Sequence, residues 1–339
     1  MRKVIIVLLV LVLTMGMVFA QGTQDTSAVQ KKTYNVGAAV YGLQAEYMRL
    51  WTTALERHPD VVSGLVNITV FDGRYDASVQ QSQFEAMATQ GYDGALFVPI
   101  DIDAGAAAVA TATAAGIPVV GSNTRVNSDQ LLSYVGSDDR LSGYMEAKAV
   151  IDYIGGKGNV VIIEGPIGQS AQIERREGNM KALAEHPEVK VLEMRTANWS
   201  RAEALSLMEN WLNAHPGKID GVIGQNDEMA LGAIQAIEQA GLNIKDFGIA
   251  GIDGVTDAML AAKSDKMVSI LQDATAQAQG ALDVLLAKLI GPSFVPKAKV
   301  WESMDFNGGK DAIYNVPWVP ITLDNVDALL AERGELTQR

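Results

Sequence analysis

The chain has 339 residues, 48% of them hydrophobic and none of them cysteine, and 27 basic against 40 acidic side chains leave a net charge of −13. That is enough apolar chain to build two core-bearing lobes. The composition excludes disulfides, thiol nucleophiles and thiolate metal sites, and the acidic balance repels nucleic acid, which rewards clustered Lys and Arg.

In chain order, the first segment reads as a processing signal. Arg2 and Lys3 precede an uncharged, mostly apolar run of 16 residues from Val4 to Phe19, and Val18-Phe19-Ala20 has the small-residue pattern of a cleavage site. The run is short for a spanning helix, which needs ~20 apolar residues. Residues 1–20 are therefore expected to be a signal peptide, removed on secretion to the periplasm; loss of Arg2 and Lys3 takes the charge to −13 − 2 = −15. Without a cysteine after the signal, a lipid anchor is excluded. Residues 21–33, opening Gln-Gly-Thr-Gln-Asp-Thr-Ser, are polar and patternless, a flexible leader.

Beyond the leader, short β-rich runs alternate with longer Ala-rich stretches of helical spacing. The runs are Val36–Tyr41, Val66–Phe71, Gly94–Val98, Pro118–Gly121, Val160–Glu164, Val189–Met194, Gly221–Gly224 and Phe247–Ile252. Continuous apolar strands alternating with helices predict parallel sheets covered on both faces. Ser137-Asp138 caps a helix running through Tyr144, Lys148 and Ile151. Ser200-Arg201-Ala202-Glu203 is a capping box, followed by Leu205, Met208 and Leu212 on one face, and Gly91 and Gly241 close helices.

The order of elements repeats. Tyr92-Asp93-Gly94-Ala95-Leu96-Phe97 echoes Ile219-Asp220-Gly221-Val222-Ile223-Gly224, and the strand ending at Asn123 echoes the one ending at Asp253; Asp93 to Asn123 is 30 positions and Asp220 to Asp253 is 33. The echo predicts two similar doubly wound lobes with polar residues at the carboxyl ends of their strands, where open α/β sheets bind ligands. A cleft between the lobes is the expected small-molecule site.

Catalytic chemistry is not visible. There is no phosphate loop, no GxGxxG and no GxSxG elbow. The three histidines, His58, His186 and His215, each precede a proline and read as helix ends, not metal ligands. Asp101 and Asp103, between a strand and an Ala-rich stretch, read as helix caps. No enzyme activity, cofactor or metal is expected.

The most specific motif is Gly224-Gln225-Asn226-Asp227-Glu228-Met229-Ala230-Leu231-Gly232-Ala233. It resembles the QNDEMALGA segment of ribose-binding-protein-like receptors, the type I periplasmic binding proteins, whose lobes are shared with the lactose-repressor family. Gly116-Ile117-Pro118-Val119, Gly136-Ser137-Asp138-Asp139, Glu174-Arg175-Arg176-Glu177-Gly178 and Gly251-Ile252-Asp253-Gly254 match further family segments in family order, over roughly residues 34–290. With a secretion signal in place of a helix-turn-helix, the resemblance implies a receptor, not a repressor. It implies two lobes joined by a three-segment hinge: residues 34–137 plus 273–318 as the N-terminal lobe and 138–272 plus 319–339 as the C-terminal lobe. It further implies a monomer that closes over a monosaccharide or polyol and feeds an ABC permease, with a chemoreceptor as a second partner in some members. A sugar-like signal molecule or a nucleoside is the alternative guest.

The resemblance also places the site. Trp199 stands where the family stacks an aromatic on the sugar, and Tyr47 and Met48 match an aromatic pair, Met48 departing from it. Tyr41, Arg175, Asn226, Asp253 and Gln272 match polar contact positions. Arg176 and Trp211 are expected to be a surface charge and a core residue, and Asp227 to cap the helix after Asn226. Asn123-Thr124 replaces the Asp-Arg pair of ribose receptors, and Val98 and Ala45 replace asparagines; Arg125 offers a cation one position later. These departures point beyond ribose to another pentose, a hexose, a linear polyol or a cyclitol.

Overall fold

The computed structural model describes residues 32–338, so residues 1–20, expected to be a signal peptide, and all but the end of the expected leader lie outside it. The described chain opens with β1 (Tyr34–Val40), α1 (Glu46–Glu56), α2 (Pro59–Val62), β2 (Val66–Asp72), α3 (Ala77–Gln90), β3 (Gly94–Val98), α4 (Gly105–Ala114), β4 (Val119–Ser122) and β5 (Ser133–Gly136). It continues with α5 (Asp139–Tyr153), β6 (Gly158–Glu164), α6 (Ser170–Ala184), β7 (Val189–Thr196), α7 (Arg201–Ala214), β8 (Gly221–Gly224), α8 (Asp227–Gln239), β9 (Gly248–Asp253), α9 (Thr256–Lys263) and β10 (Val268–Leu271). Then follow α10 (Ala274–Ile290), β11 (Ile313–Asn315), β12 (Val319–Pro320) and α11 (Val326–Thr337).

Local chemistry accounts for the boundaries. Asp138 caps α5 by accepting the Arg140 and Leu141 amides, and Ser200 caps α7 by accepting that of Glu203. Helix α3 stops at Gly91, whose φ of +70° suits glycine. The runs β3, β4 and β8 are buried along their whole length, as strands covered on both faces require.

The strands form two sheets of the same winding. The first runs β2-β1-β3-β4-β5 and ends on β11; the second runs β7-β6-β8-β9-β10 and ends on β12. All pairs are parallel except β10 with β12. The chain order reverses at β1 in one sheet and at β6 in the other, which puts a switch point at the carboxyl ends of both. Helices α3 and α4 cover one face of the first sheet, and α1 and α10 the other; α5 and α6 flank the second sheet opposite α7 to α9. The chain passes between the sheets three times, at 137–138, 272–273 and 316–318. Helix α11 touches α1 of the first lobe and α9 of the second. No helix among the described residues is long and apolar enough to cross a membrane.

His58 corrects one expectation. It does not close a helix: it caps the start of α2, its Nδ1 accepting the Asp60 amide, and its Nε2 lies 3.1 Å from Asp283 Oδ1. Asp283 Oδ2 accepts three more hydrogen bonds, from the amides of Lys297 and Ala298 and from Trp301 Nε1. His58, Asp60 and Asp283 are grouped closely enough to hold a metal ion, but both imidazole nitrogens are engaged and the Lys297 ammonium pairs with Asp60. The cluster is a buried pin fastening residues 297–301 to α10. Asp283→Ala strands these donors and should destabilise the protein by about 3 kcal/mol, read as a lower urea midpoint, with little change in the site below. An unchanged midpoint would mean that the pin contributes nothing.

Candidate functional site

The residues that follow the strands meet between the two sheets. Tyr41 follows β1, Asn123 follows β4, Asn226 stands two residues after β8, Asp253 ends β9 and Gln272 follows β10. With Tyr47 from α1, Arg175 from α6 and Trp199 from the β7–α7 loop, they line one small inner cavity, together with Thr124, Gln169 and Ala171. Met48 does not join them. One residue on from Tyr47 it is turned about 100° around the helix and is fully buried in the hydrophobic core. The inner cavity has a free volume of about 10 Å³, space for a single water. Outside it, beyond the Trp199 ring, the lobes leave an outer cavity of about 920 Å³ lined by Tyr75, Asp101, Ile167 and Arg201 among others.

Arg175 is the hub. Its Nε donates to Asp139 Oδ1 at 2.8 Å, one terminal nitrogen donates to the Gln225 carbonyl at 2.5 Å, and the other to Gln272 Oε1 at 3.4 Å. Asp253 Oδ1 is 4.0 Å away. The guanidinium lies within cation–π reach of two indoles, 5.5 Å from the ring centre of Trp199 and 5.8 Å from that of Trp318. Burial works against its charge, but Asp139 and Asp253 outweigh burial and push its pKa up. Burial raises the pKa of both carboxyls, and the Arg175 charge opposes the rise. Tyr41 and Tyr47 are pushed up chiefly by burial, so both phenols stay neutral donors.

Several groups are left with capacity for a guest. Gln272 Nε2 is buried with no hydrogen-bond partner among the described residues. Among the described residues the Asn226 side chain uses only its carbonyl oxygen, which accepts the Met229 amide. Tyr47 donates to Gln277 Oε1, and Asn123 Nδ2 approaches the same oxygen at 3.3 Å. Asn123 adopts a φ of +60°, a conformation that asparagine tolerates better than most side chains.

The cap of α8 is Asn226, where Asp227 was expected. Asp227 points inward, accepting hydrogen bonds from Ser269 Oγ and the Val255 amide. It thus braces the turn in which Asp253 sits at a φ of +122°, a strained conformation for a side-chain-bearing residue. Burial pushes the Asp227 carboxyl up to about 7. Its folded-state pKa lies above the unfolded one, so the stability it contributes is greatest below about pH 4 and declines as pH rises to about 7. Asp227→Asn should therefore stabilise the protein at pH 8 by about 1–3 kcal/mol, and the gain should vanish near pH 4. Denaturant unfolding at both pH values checks this; equal stability at pH 8 would contradict it.

Other sequence readings find their places. Asp101 does not cap α4: its Oδ1 accepts the amides of Asp103 and Ala104 in the turn ahead of the helix, whose cap position, Ala104, has no side-chain cap bond. Arg125 does not line the inner cavity: its guanidinium lies 4.4 Å from the centre of the Tyr134 ring and 3.7 Å from Glu174. Arg176 pairs with Glu164, and Trp211 is core. Sequence reasoning missed Gln169, whose only signal was the Pro166-Ile167-Gly168 turn that carries it past the carboxyl end of β6.

Comparison with known proteins finds the same architecture. Residues 36–293 match the model of the periplasmic binding protein domain. A xylitol-binding protein of Mycolicibacterium smegmatis is 34% identical over 92% of this chain and 83% of its own. A ribose import binding protein of Bacillus subtilis is 31% identical over 73% of this chain and 78% of its own. Among solved structures, an ABC transporter solute-binding protein of Bacillus halodurans with bound myo-inositol superposes with a TM-score of 0.78 at 29% identity, over 90% of this chain and 99% of that one. One of Actinobacillus succinogenes with bound D-allose superposes with a TM-score of 0.75 at 27% identity, over 87% and 100%.

Proposed function

The chain belongs to the periplasmic binding protein domain family, and from that premise we propose that it captures a monosaccharide or polyol between its two lobes and delivers it to an ABC importer. The observation that carries the reading is the inner cavity, where both sheets bring aromatic rings and hydrogen-bonding groups to one point. A sugar or polyol has C–H faces and a rim of hydroxyls. The Trp199 ring covers a face, while Arg175, Asn226 and Gln272 donate to hydroxyl oxygens and Asp253 accepts from hydroxyl hydrogens. Each such group left unpaired in a closed cleft is costly, which is the basis of selectivity.

A cavity of about 10 Å³ admits no sugar, so the guest enters with the lobes parted. Contacts from both lobes then favour the closed form. We take residues 34–137 plus 273–318 and 138–272 plus 319–339 as the two moving bodies. The strand-end positions of Tyr41, Asn123, Asn226, Asp253 and Gln272 support their assignment as contacts, and Tyr47, Arg175 and Trp199 join them. Met48 supports the site only through the packing of α1. The receptor works in the periplasm as a monomer without turning its guest over, and a chemoreceptor is a second partner open to its closed form.

The outer cavity of about 920 Å³ favours a second reading, in which the guest is a nucleoside or a substituted sugar extending past Trp199. Calorimetric titration with ribose, xylitol, myo-inositol, D-allose and adenosine tests both. Saturable heat with unchanged ligand for a sugar or polyol supports the first reading, and heat for adenosine alone supports the second. Chemical conversion of any of them would contradict both.

A further inference from the structure

We propose that Gln169 ties the orientation of Trp199 to closure of the lobes, and so acts as a positioning residue for the site. The inference rests on the receptor reading above and concerns how that site is held.

Gln169 is almost fully buried, at 1% exposure, just ahead of α6. Its Oε1 accepts the indole Nε1–H of Trp199 at 2.7 Å, and its Nε2 donates to the Pro99 carbonyl at 3.1 Å. Chemistry fixes which way the amide points. An indole N–H only donates and a carbonyl oxygen only accepts, so the amide oxygen must face Trp199 and the amide nitrogen Pro99. Trp199 belongs to the second lobe, whereas Pro99 follows β3 in the first. One side chain thus holds the stacking ring in its own lobe and reaches across to the other.

Its neighbours make the same crossing. The Gly168 carbonyl accepts the Ile102 amide at 3.0 Å, and Ser170 Oγ accepts the Arg125 amide at 2.6 Å. Three consecutive residues therefore each bond to the first lobe, and opening the lobes breaks all three bonds. The Gln169–Trp199 bond lies within one lobe and survives. In the open form Trp199 is held ready, and on closing the same amide engages Pro99. Trp199 itself sits at a φ of +59°, a conformation that side chains rarely adopt, so its ring depends on such outside support.

The chain's lack of cysteine allows a direct test on protein with nothing added. Arg125→Cys with Ser170→Cys places a thiol pair across the latch, and the 2.6 Å contact between Arg125 N and Ser170 Oγ puts their Cα atoms within disulfide range. The rate of oxidative trapping then reports how often the lobes close. Adding Gln169→Leu should slow trapping about fivefold, the effect of one lost hydrogen bond. In the cysteine-free background, the same substitution should speed hydrogen exchange of the Trp199 indole at least tenfold. That signal is read by nitrogen-15 NMR and assigned with Trp199→Phe. Gln169→Glu, which keeps an oxygen acceptor, should restore slow indole exchange, a rescue that side-chain bulk alone would not give. Gln169→Ala gives the same two readings if leucine is not tolerated. Trapping as fast as in the parent pair, or an indole exchanging as slowly as in the wild type, would overturn the proposal. Failure of every sugar to bind would instead sink the receptor reading and leave both readouts standing.

Discussion

Arg175→Met should abolish sugar or polyol binding and destabilise the protein by about 3–5 kcal/mol at pH 8, the cost of stripping one partner from a buried charge cluster. The guanidinium is nearly inaccessible and is the cation that answers the buried carboxylates of Asp139 and Asp253. Without it, burial and the neighbouring carboxylates act on the two carboxyls without that opposing charge, and their pKa values rise further. Both then take up protons more readily folded than unfolded. The variant's deficit should therefore shrink as pH falls from 8 towards 5, since stability drops with rising pH wherever the folded state binds more protons. Urea unfolding at the two pH values measures this. A deficit that grows on acidification would mean that Arg175 is not what balances the pair.

Trp199→Ala should weaken binding at least tenfold and leave the fold intact. An aromatic ring brings a large rigid face for C–H groups, and removing one stacking surface together with its burial corresponds to more than about 1.4 kcal/mol, a factor of ten. The fold should tolerate the change because Trp199 lies in the loop ahead of α7, whose cap is Ser200. Trp199→Phe should fall between the two, keeping a face but losing the bond to Gln169. Calorimetry with the best sugar of the panel gives the affinities, and circular dichroism melting checks the fold. Undiminished affinity in Trp199→Ala would remove the stacking assignment.

Both effects concern residues that the family resemblance named, Arg175 inside α6 and Trp199 ahead of α7; for other site residues position alone was a signal. Parallel strands buried on both faces are continuous apolar runs, so their carboxyl ends stand out as the point where polar residues resume: Tyr41, Asn123, Asn226 and Asp253 all lie at or just past such ends, whereas Gln272 follows a strand that was not read as one. Strands β5 and β10, each four residues long and each carrying a serine, were not among the runs read from the sequence. The short β11 and β12 are recruited by tertiary pairing alone.

Side-chain direction was less legible. Tyr47 and Met48 are adjacent in sequence, yet only helix geometry decides that one faces the cavity and the other the core. Asn226 and Asp227 are both good cap residues, and the choice is made by Ser269 and the 253–255 turn, which draw the aspartate inward. His58 reads as a helix end until α10 brings Asp283 beside it, 225 positions along the chain. The role of Gln169 depends on the opposite lobe, which no local pattern encodes.

The claim beneath all of this is that one guest is gripped from both sheets at once. Hydrogen–deuterium exchange, followed by mass spectrometry with and without saturating xylitol or myo-inositol, tests it most directly. The account predicts protection together in the segments around Tyr41–Tyr47 and Asn123 of the first lobe and around Arg175, Trp199, Asn226 and Asp253 of the second. Protection confined to one lobe, or none in any of these segments with either polyol or with ribose or D-allose, would contradict it.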